Sequence, residues 1–299
     1  TYTFENAAPA TTLDFTGFDI SLASFVDSFS ISAQEAQPEG LAFNADGTKM
    51  FVVGNGGDDV NEYVLSTGFD VSTATYSQNF DISSQETEPN GMAFNTVGTK
   101  MFIVGTSAPT PDVNEYNLST GFDVSTASYS QNFSVSAQES SPQAVAFNTD
   151  GTVMLITGVG GDDVNEYALS SAYDVSSASF TDLFSVASQD TNPQDLFFNS
   201  DGTQMFIVGD ANNTIFQYNL TTGFDVSTAS YADVSFSVNS QDATPTGMAF
   251  NSDGTKLYVV GQQNEDVFQY ETTASAFSTD NLIGQAITAT QINIKDYTG

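Results

Sequence analysis

The chain has 299 residues, with 4 Lys and Arg against 37 Asp and Glu for a formal charge of −33, and it contains no Cys, His or Trp. Without a basic surface nothing can release counterions from a phosphate backbone or meet an anionic bilayer, so nucleic acid and anionic membranes are excluded as partners, and no apolar run is long enough for membrane insertion. The basic residues are all lysines (Lys49, Lys100, Lys256, Lys295), so a His-based triad, a thiolate nucleophile, a His-ligated zinc and an arginine clamp are excluded too, leaving carboxylate chemistry.

A single domain of this size buries about 75% of its unfolded surface and needs no disulfides. The start at Thr1, without Met or a signal-like segment, is what a processed mature protein or an excised fragment would show. Residues 1–16 form an N-terminal flank. The first element is SFVDSFSIS (Ser24 to Ser32), an alternating strand that stands alone.

QPEGLAFNADGTKMFVVG follows from Gln37, and it is the first of five copies, whose Gly-Thr glycines (Gly47, Gly98, Gly151, Gly202, Gly254) lie 51 to 53 residues apart. A period near 50 denotes a repeat architecture. Each unit holds four strand signals, in the first copy LAFN (A), KMFVVG (B), VNEYVL (C) and YSQNFDIS (D). Asp-Gly between A and B predicts a tight hairpin with positive φ at both turn positions. A and B are apolar on both faces, C and D on about one, as expected of a blade whose inner strands lie between neighbours. No helical period competes, so the chain reads as all-β.

The last copy supplies A, B and C but no D. The isolated N-terminal strand is a D strand, so it is expected to complete the last blade and close a five-bladed β-propeller over residues 17–275. A sixth blade could come only from the flanks, which lack the repeat signatures. The C-terminal flank, residues 276–299, carries Ile287, Ala289, Ile292 and Ile294, an extended, half-buried pattern suited to stapling the propeller or joining it to a neighbour.

The phrase P-x-G-x-A-F-N-x-D-G-T-K-x-[FY]-V-V-G followed by V-x-x-Y resembles the repeats of YVTN and NHL-like β-propellers, and it covers about 85% of the chain by the span above. The resemblance implies the fold and says little of activity. The FDVSTA…SQ wording is loosely similar to surface and virion proteins of marine bacteria and phages, which implies an extracellular, cell-surface or virion location.

The Asp-Gly corners (Asp46, Asp150, Asp201, Asp253) lack EF-hand spacing and read as turns. The B–C loops diverge between copies, whereas the A–B corners are nearly identical. Divergence on a rigid scaffold marks either a recognition face or drift. The recognition reading draws on Asn55, Thr106, Pro109, Pro111, Asp112, Asp210, Asn212, Asn213, Gln262, Gln263 and Glu265. Paired acids in two of these loops, Asp58 with Asp59 and Asp162 with Asp163, are the candidates for calcium. No other cofactor is implied.

The D–A loops repeat Gln then acid (Glu35, Glu86, Glu139, Asp190, Asp242). This is either a cation ring or a handover in which Gln satisfies the backbone and the acid sits in water. Glu62, Glu115 and Glu166 of strand C become Gln217 and Gln269, which suggests an outward polar position. The Phe of each Gly-Phe-Asp (Gly68, Gly121, Gly223) is expected to tuck under its blade. Asp195, just before LFFN, is the one acid assigned to strand A. A non-catalytic structural or binding module is therefore expected, meeting a surface glycan, a protein or neighbouring subunits. The alternative is a calcium-dependent or two-carboxylate hydrolase, lactonase-like or glycosidase-like, which requires acids in distinct environments.

Overall fold

A computed structural model describes residues 17–107 and 110–273. The expectations for the two flanks and for Pro109 lie outside the described residues. Strand β1 (Ser24–Ser30) is followed by β2 (Pro38–Phe43), β3 (Lys49–Gly54), β4 (Asp59–Leu65) and β5 (Ala74–Asp81), which are strands A to D of blade 1. Blade 2 holds β6 (Pro89–Phe94), β7 (Lys100–Gly105), β8 (Asp112–Leu118) and β9 (Ala127–Ser134). Blade 3 holds β10 (Pro142–Phe147), β11 (Val153–Gly158), β12 (Asp163–Leu169) and β13 (Ala178–Ser185). Blade 4 holds β14 (Pro193–Phe198), β15 (Gln204–Gly209), β16 (Thr214–Leu220) and β17 (Ala229–Ser237). Blade 5 holds β18 (Pro245–Phe250), β19 (Lys256–Gly261) and β20 (Asp266–Glu271), and its fourth strand is β1, antiparallel to β20 from Ser24 opposite Glu271 to Ser30 opposite Asp266. The five innermost strands neighbour one another in a closed ring. The molecule is a five-bladed β-propeller closed by its N-terminal strand, as the orphan D strand predicts.

The core lies between blades. Met50, Val52 and Tyr63 of blade 1 pack with Tyr258 and Val260 of blade 5, while Phe51, Val53 and Val60 pack with Met92, Met101 and Tyr116 of blade 2. Both faces of strands A and B are thus buried, which is why those segments read as continuous apolar runs.

The A–B corner differs from the expected two-residue turn. Gly47 has φ +69, but Asp46 is not among the residues with positive φ. The chain turns through Ala45 and Asp46, with Gly47 N donating to Asn44 O at 3.0 Å, and only the glycine enters the left-handed region. Asp46 Oδ1 instead accepts Thr48 N at 3.0 Å and its hydroxyl at 2.6 Å. The Gly-Phe-Asp phenylalanine tucks in as expected. Phe69 itself has φ +60, and a Cβ on Gly47 would stand 2.3 Å from its ring.

The lysines at the start of strand B staple one blade to the next. Lys49 Nζ pairs with Glu62 at 2.8 Å and donates to the carbonyl of Phe122, in blade 2, at 2.6 Å. Lys100 repeats this with Glu115 at 2.7 Å and Tyr173 O at 2.6 Å, and Lys256 donates to Phe69 O at 2.9 Å. Glu62 also accepts Val124 N of blade 2 at 3.2 Å, and Gln269 accepts Val71 N at 3.1 Å. The outward reading of the strand C glutamates is therefore corrected. Glu62 and Glu115 are buried, and a Gln carbonyl can take over the acceptor role. Blade 3 keeps Glu166, which accepts Val226 N at 3.0 Å, but carries Val153 where blades 1, 2 and 5 have the lysine. Burial raises the Glu166 pKa. Val153→Lys is expected to place an ammonium between Glu166 and the carbonyl of Phe224, stabilising by about 1–2 kcal/mol as a charge-assisted pair. Thermal melting checks it: the gain should vanish in the Glu166→Gln background, and an equal gain there would mean that the staple had not formed.

Candidate functional site

The B–C and D–A loops share one end of the propeller, and each D–A acid is turned into it. Glu35 Oε1 accepts Gln37 N at 2.7 Å and Gly56 N at 2.8 Å; Glu139 accepts Ser141 N at 2.7 Å, Gly160 N at 2.8 Å and Gly161 N at 3.1 Å. Asp190 and Asp242 do likewise for Asn192 N and Thr244 N, both at 2.7 Å. All five acids are buried. The handover reading of this ring is corrected: the acid rather than the Gln satisfies the backbone, is buried rather than in water, and locks the D–A loop onto the B–C loop of its blade. The glycines closing strand B make room, since a Cβ on Gly54 would lie 2.5 Å from Glu35 Cδ.

The calcium candidates are separated by the turn. Asp58 and Asp162 occupy its tip at φ +49 and +50, a conformation that Asp and Asn tolerate, as do Asn213 at +51 and Glu265 at +52. Asp59 and Asp163 point into their blades, Asp59 accepting amide hydrogens from Asn61 and Asn79 at 2.5 Å and Asp163 from Asn165 at 2.6 Å. Burial raises both carboxyls. Among the described residues no three acidic side chains converge as a metal-holding group.

The candidate face divides in the same way. Asp112 is buried and accepts from Asn114 at 2.7 Å, so it is not available on the surface. Asn55 and Gln262 donate into Glu39 Oε1 at 2.8 and 2.7 Å, Thr106 donates to Glu88 at 3.0 Å, and Asp210 accepts from Asn192 at 3.1 Å. Asn212 and Gln263 are exposed; Thr106, Pro111, Asp210, Asn213 and Glu265 are half-buried.

At the opposite end a cavity of about 360 Å³ fills the central channel and opens between the A–B corners. Its wall combines Phe43, Phe94, Phe147, Phe198 and Phe250, one from each innermost strand, with Leu41, Met92, Val145, Leu196 and Met248. Among the described residues, Asp195 of β14 is the only carboxylate in this wall. Its Oδ2 accepts Met248 N of blade 5 at 2.6 Å and its Oδ1 accepts Leu196 N at 2.7 Å. These N–H groups are free because an innermost strand has no partner on its channel side. Burial pushes the Asp195 carboxyl up to about 7, against the pull of the two N–H donors. Strand A holds a second acid that its sequence assignment left out. It begins at Pro38 and so includes Glu39, buried near the other mouth and pushed up to about 8 by burial. The divergence of the B–C loops drew attention to one end, while this cavity lies behind the uniform corners of the other; the available signal was the break in repeat symmetry at Asp195.

The sequence matches no family model and no curated protein. Some solved structures are distantly similar. A functionally unknown protein from Desulfotomaculum acetoxidans is 12% identical with a TM-score of 0.44, over 75% of this chain and 62% of its own. A candidate 6-phosphogluconolactonase from Bacteroides fragilis is 17% identical with a TM-score of 0.46, over 78% and 67%. A β-propeller domain from Myceliophteria thermophila is 8% identical with a TM-score of 0.47, over 83% and 99%. The chain thus spans less than two thirds of the Desulfotomaculum protein.

Proposed function

We propose that this propeller is a non-catalytic binding module of an extracellular, cell-surface or virion assembly, engaging a surface glycan, a protein or a neighbouring subunit through its B–C face. The observation that carries this reading is that, among the described residues, Asp195 is the sole carboxylate in the cavity wall. A two-carboxylate hydrolase needs a second acid within about 5–10 Å, held in a different environment. At the other end the buried D–A acids are committed to backbone N–H groups, and Glu39, Asp59, Asp112 and Asp163 to side-chain amides. The location draws support from a polar surface that is acidic to −33 and suited to salt that screens its self-repulsion.

The test has two arms. Chromogenic glycosides and lactones, with and without calcium, are expected to show no turnover above buffer; turnover abolished by Asp195→Asn would establish the hydrolase instead. Ala33→Arg with Ala137→Arg places two bulky side chains at exposed D–A positions of the B–C face. Retention on intact cells or particles should fall at least tenfold while the melting temperature holds, and unchanged retention would remove the face from the interaction.

A further inference from the structure

We infer that the central cavity is a binding site for a small organic cation, an ammonium group on an apolar body, with Asp195 as its counter-ion. The volume of about 360 Å³ is in the range of small-molecule pockets. Rings of Phe43, Phe94 and Phe147 in its wall offer an apolar lining with negative π-faces, which favour a cation over a neutral isostere. Each Asp195 oxygen accepts one backbone N–H, and a carboxylate oxygen has a further lone pair to offer. No cation among the described residues stands against it, since the ammonium groups of Lys49, Lys100 and Lys256 are held on carbonyls of the C–D turns.

The mouth has the same sign. Asp46, Asp150, Asp201 and Asp253 directly follow the lining residues Ala45, Thr149, Ser200 and Ser252. Each is held below its ordinary carboxylate value by the hydroxyl and N–H of the Thr two residues on, so all four are ionised at neutral pH. A ring of fixed negative charge around an apolar opening concentrates cations there.

The repeat shows that this chemistry is added to the scaffold. Where Asp195 stands, the other blades have Gly40, Gly91, Ala144 and Gly247, and where Phe197 stands they have alanine. The two positions are i and i+2 on one strand, so they share a side, and that side faces blade 5. Four innermost strands fold and close the ring with a small residue at both places. The competing explanation is that Asp195 only pins blade 4 to blade 5, where Gln204 replaces the stapling lysine.

The experiment is a titration of the purified chain, followed by NMR and calorimetry, with 2-phenylethylammonium, its neutral isostere 2-phenylethanol and the anion 3-phenylpropanoate. The ammonium should bind saturably and at least tenfold more tightly than the alcohol, with no binding of the anion. Asp195→Asn and Asp195→Gly should each abolish that preference; the glycine variant restores the residue of three other blades, so its fold is expected to survive, as melting will check. Equal binding of ammonium and alcohol, binding of the anion, no binding of the ammonium at 10 mM (about −2.7 kcal/mol or weaker), or a preference that survives in Asp195→Gly would each overturn the proposal. The last result, or a loss of melting temperature without any ammonium binding by the wild type, would leave Asp195 as an interblade pin.

Discussion

A chain lacking residues 1–32 is expected to lose its monomeric state and most of its thermal stability, and to regain both when a peptide of residues 17–32 is added. The deleted segment supplies three things to blade 5. It provides β1, which pairs with the outer edge of β20. It provides Phe18, whose ring sits on Gly254 as Phe69 sits on Gly47 and lies 5.4 Å from Phe250. It also provides the buried Ile20 and Ile31, together with Phe29, which meets Tyr63 of blade 1 edge-on at 5.7 Å. Four large apolar side chains at roughly 1.5–3 kcal/mol each amount to about 6–12 kcal/mol, which is the size of a whole domain's net stability. The exposed β20 edge, with Val267, Phe268 and Tyr270 beside it, is a template for pairing with other chains. Size-exclusion chromatography and melting with and without the peptide decide the matter. A truncated chain that stays monomeric and melts like the full one would show that closure contributes little.

Closure was legible in the sequence because it depends on counting: four D strands follow A, B and C, and one precedes them all. The blades, their order and the tucked phenylalanines were legible for the same reason, being local patterns that recur along the chain. Contacts between blades were not. Nothing in the VNEYVL of blade 1 shows that Glu62 reaches Val124, 62 residues on, so its replacement by Gln in later copies looked like exposure when it was exchange of one buried acceptor for another. The D–A acids misled in a related way. A carboxylate beside polar loop residues looks solvated unless the facing loop, some 21 residues later, is known to offer N–H groups. Asp195 lies between these cases. The broken symmetry showed that the residue was unusual, but the cavity that gives it a role is made by five strands at once.

Acidification from pH 8 to pH 5 is expected to stabilise this protein, with Glu39 as the largest single contributor. Glu39 accepts from Asn55 and from Gln262 of blade 5, donors that favour its charged form, yet burial outweighs them and the neighbouring Glu35 adds to the rise, bringing it from 4.5 to about 8. A group whose folded pKa is raised contributes stability that is fully present below its unfolded pKa and is lost as pH climbs through the folded one. The window for Glu39 is therefore about pH 4.5 to 8, and that for Asp195, raised from 3.8 to about 7, lies just below it. At 1.36 kcal/mol per pH unit of difference, Glu39 alone accounts for a loss on the order of 3–5 kcal/mol across its window. The corner aspartates act in the opposite sense, since Asp46 and Asp150 have lowered pKa values and withdraw stability only as pH falls below about 4. Work in 0.5 M NaCl, where charges more than a few ångströms apart are screened, removes most of the general repulsion of a chain at −33. Under those conditions Glu39→Gln keeps the shape and can still accept from Asn55 and Gln262 through its carbonyl oxygen, so the variant should melt several degrees above wild type at pH 8 and level with it at pH 5. A wild-type melting temperature that stays flat or rises with pH, or a gain from Glu39→Gln of the same size at both pH values, would show that Glu39 is not held protonated by its burial.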